Sequence, residues 1–204
     1  MDAPAKILLA SSNRGKLAEF QALAAAAAGK IPVMELFPEF SSLPEFEESA
    51  PTFAENAAGK ASHYSRFTDL PVLADDSGLV VPALGCAPGV HSARYAGPGA
   101  SDSDKIKKLI GEMRGKTGEA RAARFVCVLA VAHHGRVYAV TSDFASGMLL
   151  EEPRGTDGFG YDPIFYMNQV EKTFAELSRE EKNRLSHRGK AFRRMLPALT
   201  TALA

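Results

Sequence analysis

A chain of 204 residues, 46% of them hydrophobic and 24% charged, has the material for one sizeable core and the surface of an ordinary soluble protein. Its 24 Lys and Arg balance its 24 Asp and Glu, so there is no overall basic field to gather nucleic acid, and any anion site has to be local. The start lacks the basic region of a secretory signal, the Ala-rich stretch before Gly29-Lys30 is too short to span a bilayer, and Cys86 and Cys127 have no metal spacing. These features predict a cytoplasmic protein with reduced thiols, no membrane partner and no nucleic-acid partner.

Residues 5–10 read as a short buried strand. The polar loop Ser11-Ser12-Asn13-Arg14-Gly15-Lys16 follows, then a helix from about Gly15 to Ala28 with Leu17, Phe20, Leu23 and Ala24 on one face. A second strand covers residues 33–36, and the Pro-, Glu- and Ser-rich residues 37–51 read as a mobile loop. Thr52 opens the next helix: Thr52-x-x-Glu55 has capping-box spacing, and Phe53, Ala57, Lys60 and Tyr64 recur at helical intervals. Residues 72–74 and 79–81 are apolar strand segments on either side of an acidic turn, Asp75-Asp76-Ser77-Gly78. The Gly- and Pro-rich residues 85–99 form a conformationally specific loop, and residues 102–113 a helix with Ile106, Leu109 and Ile110 inward. Residues 122–133 and 136–144 predict an antiparallel hairpin joined at His134-Gly135, which residues 147–150 extend. A loop over 155–163, a segment at 174–177 and a final helix from about Ser186 to Leu203 complete the chain. With no repeat and no linker, residues 1–204 read as a single α/β domain with a mixed sheet, split into two lobes around a cleft.

The acid pair is the most informative feature. Two adjacent carboxylates at the end of a buried strand repel each other and are costly to desolvate. A fold that keeps them needs a cation, and the usual reason is metal-assisted chemistry on an anionic substrate. One aspartate can hold Mg²⁺ while a carboxylate draws a proton from attacking water, and Glu47 and Glu48 are candidates for a further ligand. The loop Ser11 to Lys16 aims backbone N–H groups and the positive end of a helix at one point, with Asn13, the serine hydroxyls and Lys16 as added donors. It has neither a Walker frame nor a dinucleotide fingerprint. In Asp157-Gly158-Phe159-Gly160-Tyr161-Asp162-Pro163, two glycines bracket a ring that can face a flat ligand such as a nucleobase. Ser186-His187-Arg188-Gly189-Lys190 brings donors for a carbonyl or phosphate to the start of the last helix. Each stretch also has a plain structural reading: a helix cap with a solvated lysine, an Asx-type bend with solvated acids, a turn whose aromatics return to the core.

In this order, Ser12-Asn-Arg-Gly-Lys16, Thr52-Phe-Ala-Glu-Asn-Ala57 with Lys60, Asp75-Asp-Ser-Gly78 with Gly85-Cys-Ala-Pro-Gly89 and Ser92-Ala-Arg-Tyr95, Gly158-Phe-Gly-Tyr-Asp-Pro-Ile-Phe165, and Ser186-His-Arg-Gly189 resemble the inosine-triphosphate pyrophosphatase family, the non-canonical purine nucleoside-triphosphate pyrophosphatases. The likeness runs over essentially the whole chain. It implies an elongated mixed β-sheet flanked by helices, two lobes around a central cleft, and a cytosolic homodimer. The implied reaction is Mg²⁺-dependent hydrolysis of ITP, dITP and XTP between the α and β phosphates, giving the monophosphate and pyrophosphate and cleansing the nucleotide pool.

By the same resemblance Asp76 is the catalytic carboxylate and a metal contact, supported by Asp75, and one of Glu47 and Glu48 completes the metal site. Ser11, Ser12, Asn13, Arg14, Gly15 and Lys16 contact phosphates and sugar, Lys60 neutralises phosphate charge, and Ser77 touches substrate. Phe159, Gly160, Tyr161 and Asp162 hold the base, Lys182 the substrate, and His187 and Arg188 the 6-keto edge. Two departures matter: Ala50 precedes Pro51 where the family commonly has Gly two positions after its acidic residue, which leaves the choice between Glu47 and Glu48 open, and Cys86 stands where glycine is usual.

Inosine and xanthine carry an oxygen acceptor at position 6, and adenine an amino donor. Donors from His187 and Arg188 would be left unpaired against adenine, which is a strong rejection. Guanine shares the oxygen, so its exclusion has to come from elsewhere in the pocket. Two other readings are a pyrophosphatase for modified pyrimidine or ordinary nucleotides, and a nucleotide sensor that binds without cleaving.

Overall fold

The computed structural model describes residues 5–27 and 31–201. Seven strands carry the fold: β1 (Lys6–Leu9), β2 (Val33–Leu36), β3 (Val72–Val80), β4 (Ala122–His133), β5 (Arg136–Leu149), β6 (Phe165–Met167) and β7 (Lys172–Thr173). Among the described residues five α-helices accompany them: α1 (Arg14–Ala25), α2 (Phe53–Tyr64), α3 (Asp102–Glu112), α4 (Arg179–Leu185) and α5 (His187–Thr201). The sheet order is β2-β1-β3-β4-β5-β6-β7. β1 pairs in parallel with β2 and β3, while β6 pairs antiparallel with β5 and β7, so the sheet is mixed. The chain forms two compact units, one from Met1–Asp76, Cys127–Asp143 and Arg188–Ala204, the other from Ser77–Val126 and Phe144–His187.

The first unit is an α/β layer. β1 reads Lys-Ile-Leu-Leu without polar alternation because parallel neighbours and helices cover both its faces. Ile7 and Leu9 pack with Leu73, Leu129 and Val131 against Phe20 and Leu23 of α1 and Phe192, Met195 and Leu199 of α5. The Phe20 and Phe192 rings lie 5.7 Å apart. α2 turns small buried residues, Ala57 and Ala61, inward, which lets its backbone come close to the sheet.

The second unit packs Leu79, Ile106, Leu109, Met113, Phe125, Ile164, Phe165 and Phe174 into its own core. Phe125 and Phe174 stack at 5.6 Å and 3°. Arg121 is buried there, and its guanidinium donates to the carbonyls of Leu149 (2.5 Å), Leu150 (2.9 Å), Lys116 (3.2 Å) and Met113 (3.4 Å). That set of acceptors makes burial of the charge tolerable.

The hairpin at His134-Gly135 is present, with φ of 49° and 78°, the all-positive pair of a type I′ turn. Its second strand continues to Leu149, as the expected extension required. The expected acidic turn is a correction: β3 runs unbroken through Asp75-Asp76-Ser77-Gly78. The place of β3 within the sheet, between β1 and β4, overrides the turn tendency of Ser and Gly. α4 and the short β6 and β7 were not foreseen. α1 ends at Ala25, and the expected helix ends at Ala28 and Leu203 lie outside the described residues.

Candidate active site

Because the acids sit within a strand, alternation sends their side chains to opposite faces. Asp75 turns toward α1 and α5. Its Oδ1 accepts from Lys16 Nζ at 2.5 Å, and its Oδ2 from Arg188 Nε at 3.2 Å and Cys127 Sγ at 3.4 Å. Arg188 also bonds Glu19 through Nη1 at 2.6 Å. Burial alone would lower the Arg188 pKa, but Asp75 and then Glu19 outweigh it and hold the guanidinium charged. The result is a buried charge network, with Asp75 and Arg188 each only 3% exposed.

Asp76 turns the other way, toward α2. Asn56 stands beside it, and its Oδ2 is buried with no hydrogen-bond partner among the described residues. Burial first, then the charges of Glu48 and Asp75, push its carboxyl from the ordinary 3.8 up to about 6, against the restraint of Asn56 and Lys16. Glu48 is half-buried and pairs with Lys60 Nζ at 2.5 Å, whereas Glu47 is exposed. The two glutamates that sequence reading left open thus differ in exposure. Among the described residues no cluster of three or more His, Cys, Asp and Glu side chains is arranged to hold a metal ion. Asp76 and Glu48 are a pair, and Mg²⁺ typically takes one or two carboxylates and completes its shell with water and phosphate. An orphaned carboxylate oxygen beside a second acid fits such an ion.

The loop before α1 is built by its own side chains. Ser11 Oγ accepts the Asn13 N–H at 3.0 Å, and Asn13 Oδ1 caps the helix by accepting the Lys16 N–H at 3.1 Å. A Cβ on Gly15 would lie 3.0 Å from that capping oxygen, which would have to give by a few tenths of an ångström. Beside the loop a cavity of about 410 Å³ is lined by Ser11, Ser12 and Arg14 together with Phe37, Glu39 and Phe40.

In the second unit the glycine-bracketed turn is equally constructed. Asp162 Oδ2 accepts the Phe159 N–H at 2.8 Å and Lys182 Nζ at 2.6 Å, and that ammonium also lies 4.9 Å from the Phe159 ring centre. Phe159 keeps 39% exposure, so its ring is offered rather than buried. Gly158 has φ of +80°, and a Cβ there would collide with Asp162 Oδ2. Tyr161 returns to the core, its hydroxyl donating to the Ser92 carbonyl at 2.9 Å. Asp102, unremarked in the sequence, accepts the Gly160 N–H at 2.6 Å. Burial pushes its carboxyl up, but Lys105 and the Gly160 N–H together hold it below its ordinary value. Ser77 is half-buried in β3. His187 is buried, its ring stacked on Phe125 at 4.8 Å.

The first unit therefore brings together Lys16, Asp75 and Arg188, and separately Glu48, Lys60 and Asp76. The second brings together Phe159, Gly160, Asp162 and Lys182. Arg188, expected at a base edge, lies under Asp75. Glu19, Asn56, Asp102 and Cys127 were missed. Only Asn56 carried a signal, as a polar residue beside Ala57 on the inward stripe of α2.

Residues 7–198 match the Ham1 family. A dITP/XTP pyrophosphatase of Geobacillus kaustophilus is 50% identical over 190 residues, covering 93% of this chain and 92% of the relative. Among solved structures, a HAM1 protein from Coxiella burnetii is 41% identical with a TM-score of 0.83 over 97% of this chain and 99% of that one. The Ham1 protein of Staphylococcus aureus gives 36% identity and a TM-score of 0.83 over the same shares. Among the described residues no helix is long and apolar enough to cross a membrane.

Proposed function

We propose that this chain, which belongs to the Ham1 family, is a Mg²⁺-dependent pyrophosphohydrolase that cleaves ITP, dITP and XTP to the monophosphate and pyrophosphate. The observation that carries the reading is Asp76: a buried carboxylate with one unsatisfied oxygen, pushed up to about 6 beside a second acid. Its relatives named dITP/XTP pyrophosphatase supply the substrate class.

Asp76 and Glu48 would hold the ion, with Asp75 and Glu47 as the nearby acids of lesser part. Bound there, the ion would relieve the repulsion of the carboxylates and neutralise charge on the triphosphate. Asp76 takes the proton of the water that attacks phosphorus as the α–β phosphoanhydride breaks and pyrophosphate leaves. Lys16 and Lys60 balance phosphate charge, and the capped loop from Ser11 to Lys16 presents its N–H groups to phosphate and sugar. The network of Arg188, Glu19 and Cys127 fixes Asp75, so that Lys16 is held where it is. For the base, Phe159 provides a stacking face, Asp162 and Lys182 hold its turn, and His187 reads the 6-keto edge. We further propose a cytoplasmic homodimer with no nucleic-acid or membrane partner.

The test is product analysis. Purified protein with Mg²⁺ and ITP should release pyrophosphate and not orthophosphate, and should prefer ITP over ATP. Faster cleavage of dUTP, TTP or UTP, or tight nucleotide binding without any pyrophosphate release, would displace this reading.

A further inference from the structure

Asn56 is fully buried in α2, in a stripe whose other inward residues are Ala57, Ala61 and Tyr64. A polar amide in that setting needs partners, and its partners are specific. Oδ1 accepts the Ala50 N–H at 3.0 Å, and the side-chain Nδ2 donates to the Ala50 carbonyl at 3.4 Å. The same side chain also stands beside the Asp76 carboxylate and acts to lower its pKa. One amide therefore closes both backbone groups of a loop residue, as a strand neighbour would, and does so beside Asp76 of β3.

Ala50 lies two residues after Glu48, which pairs with Lys60 and acts electrostatically on Asp76. The next residue, Pro51, has no N–H, so it offers no further backbone donor for holding the loop. We propose that Asn56 is a positioning residue that clamps the Glu48 loop onto the Asp76 strand, setting the separation of the two carboxylates that take the divalent cation. The inference rests on the metal reading of the proposed function and adds to it a residue that touches neither ion nor substrate.

The chemistry of the side chain is particular. Ionised aspartate keeps an acceptor for the Ala50 N–H but loses both donors and adds a charge beside Asp76. Leucine keeps the volume and loses every bond. Outer partners of this kind typically govern metal affinity by 10- to 100-fold.

The experiment uses the full chain and Mn²⁺ alone, with free Mn²⁺ read by electron paramagnetic resonance and no nucleotide present. Asn56→Leu should weaken Mn²⁺ binding about 10- to 100-fold and speed amide exchange in residues 45–50. Glu48→Gln should also weaken it, and the double variant should be no weaker than Glu48→Gln alone, because the clamp acts through that carboxylate. If Asn56→Leu does not fold, Asn56→Ser is titrated in its place. Wild-type affinity in the variant, or a loss that adds in full to that of Glu48→Gln, overturns the clamp. A wild-type protein that takes up no Mn²⁺ overturns the metal reading itself, a result visible in the wild-type titration before any variant is compared.

Discussion

At neutral pH Asp76 is mostly ionised in a place that disfavours its charge, since burial and then Glu48 and Asp75 raise its carboxyl from 3.8 to about 6. Stability associated with this group is fully present below 3.8, where it is protonated in both folded and unfolded chains. It is lost as the pH rises through about 6. A shift of that size amounts to roughly 3 kcal/mol at pH 8. Asp76→Asn should therefore raise the thermal midpoint of the metal-free protein at pH 8 and leave it unchanged near pH 4, while removing turnover by about 10²- to 10⁴-fold. Equal melting at pH 8 would show that burial is not opposed by the acid. Arg188 makes the opposite case. Arg188→Ala leaves Asp75 and Glu19 without their shared cation, and should cost about 3–5 kcal/mol in denaturant unfolding, with Arg188→Lys failing to restore the two-way bond. A loss below about 1 kcal/mol would mean that Lys16 alone suffices for Asp75. Asp75, Asp76 and Lys16 were legible in the sequence because charges at strand ends and helix starts are few. Glu19 and Asp102 were not, because single charges on helices ordinarily face water.

The elements show where local chemistry outweighs pattern and where it yields. The Gly158 turn has two reasons to exclude a side chain: a φ of +80° and the Asp162 carboxylate where Cβ would stand. Gly158→Ala should raise KM for ITP on the order of tenfold or more through loss of the Phe159 N–H and Lys182 bonds to Asp162, with the unit around it still folded by circular dichroism. An unchanged KM would remove the turn from substrate binding. β1, α2, α3 and the β4–β5 hairpin could be read from periodicity, capping residues and a turn dipeptide. β3 could not, since Ser77-Gly78 is poor strand sequence and only its neighbours make it one. α4, Arg-Glu-Glu-Lys-Asn-Arg-Leu, offers a single apolar residue and hence no period. Its signal was the capping box from Ser178 to Glu181, which is intact in the structure.

For the molecule as a whole, each unit has a core of its own, and Asp76, the acid that opposes folding, lies in the first beside Glu48. A divalent ion that binds only the folded chain should then act as a stabiliser as well as a participant. At a free concentration about a hundred times Kd, Mg²⁺ should add about 2.7 kcal/mol, or a rise of several degrees for a chain of this size. Chelation should reverse the rise and end pyrophosphate release together, and Asp76→Asn should lose most of the Mg²⁺-induced shift. A midpoint indifferent to Mg²⁺ in the wild-type protein would argue that the acids take no ion. The α/β class and the mixed sheet were legible because parallel strands alternate with helices early in the chain and a long hairpin follows. Two lobes were expected, but their boundaries were not legible, because the chain leaves the first unit after Asp76 and rejoins it at Cys127 and again at Arg188, with no linker at any crossing.

The pleat of β3 makes the spacing of its residues a reading frame. A single residue added or removed between Pro71 and Asp75 would turn each acid to the other's face while sparing every residue type involved. Two added residues would restore which way each acid points. Natural length variation in this lineage should accordingly gather in the loops and leave that short stretch unaltered.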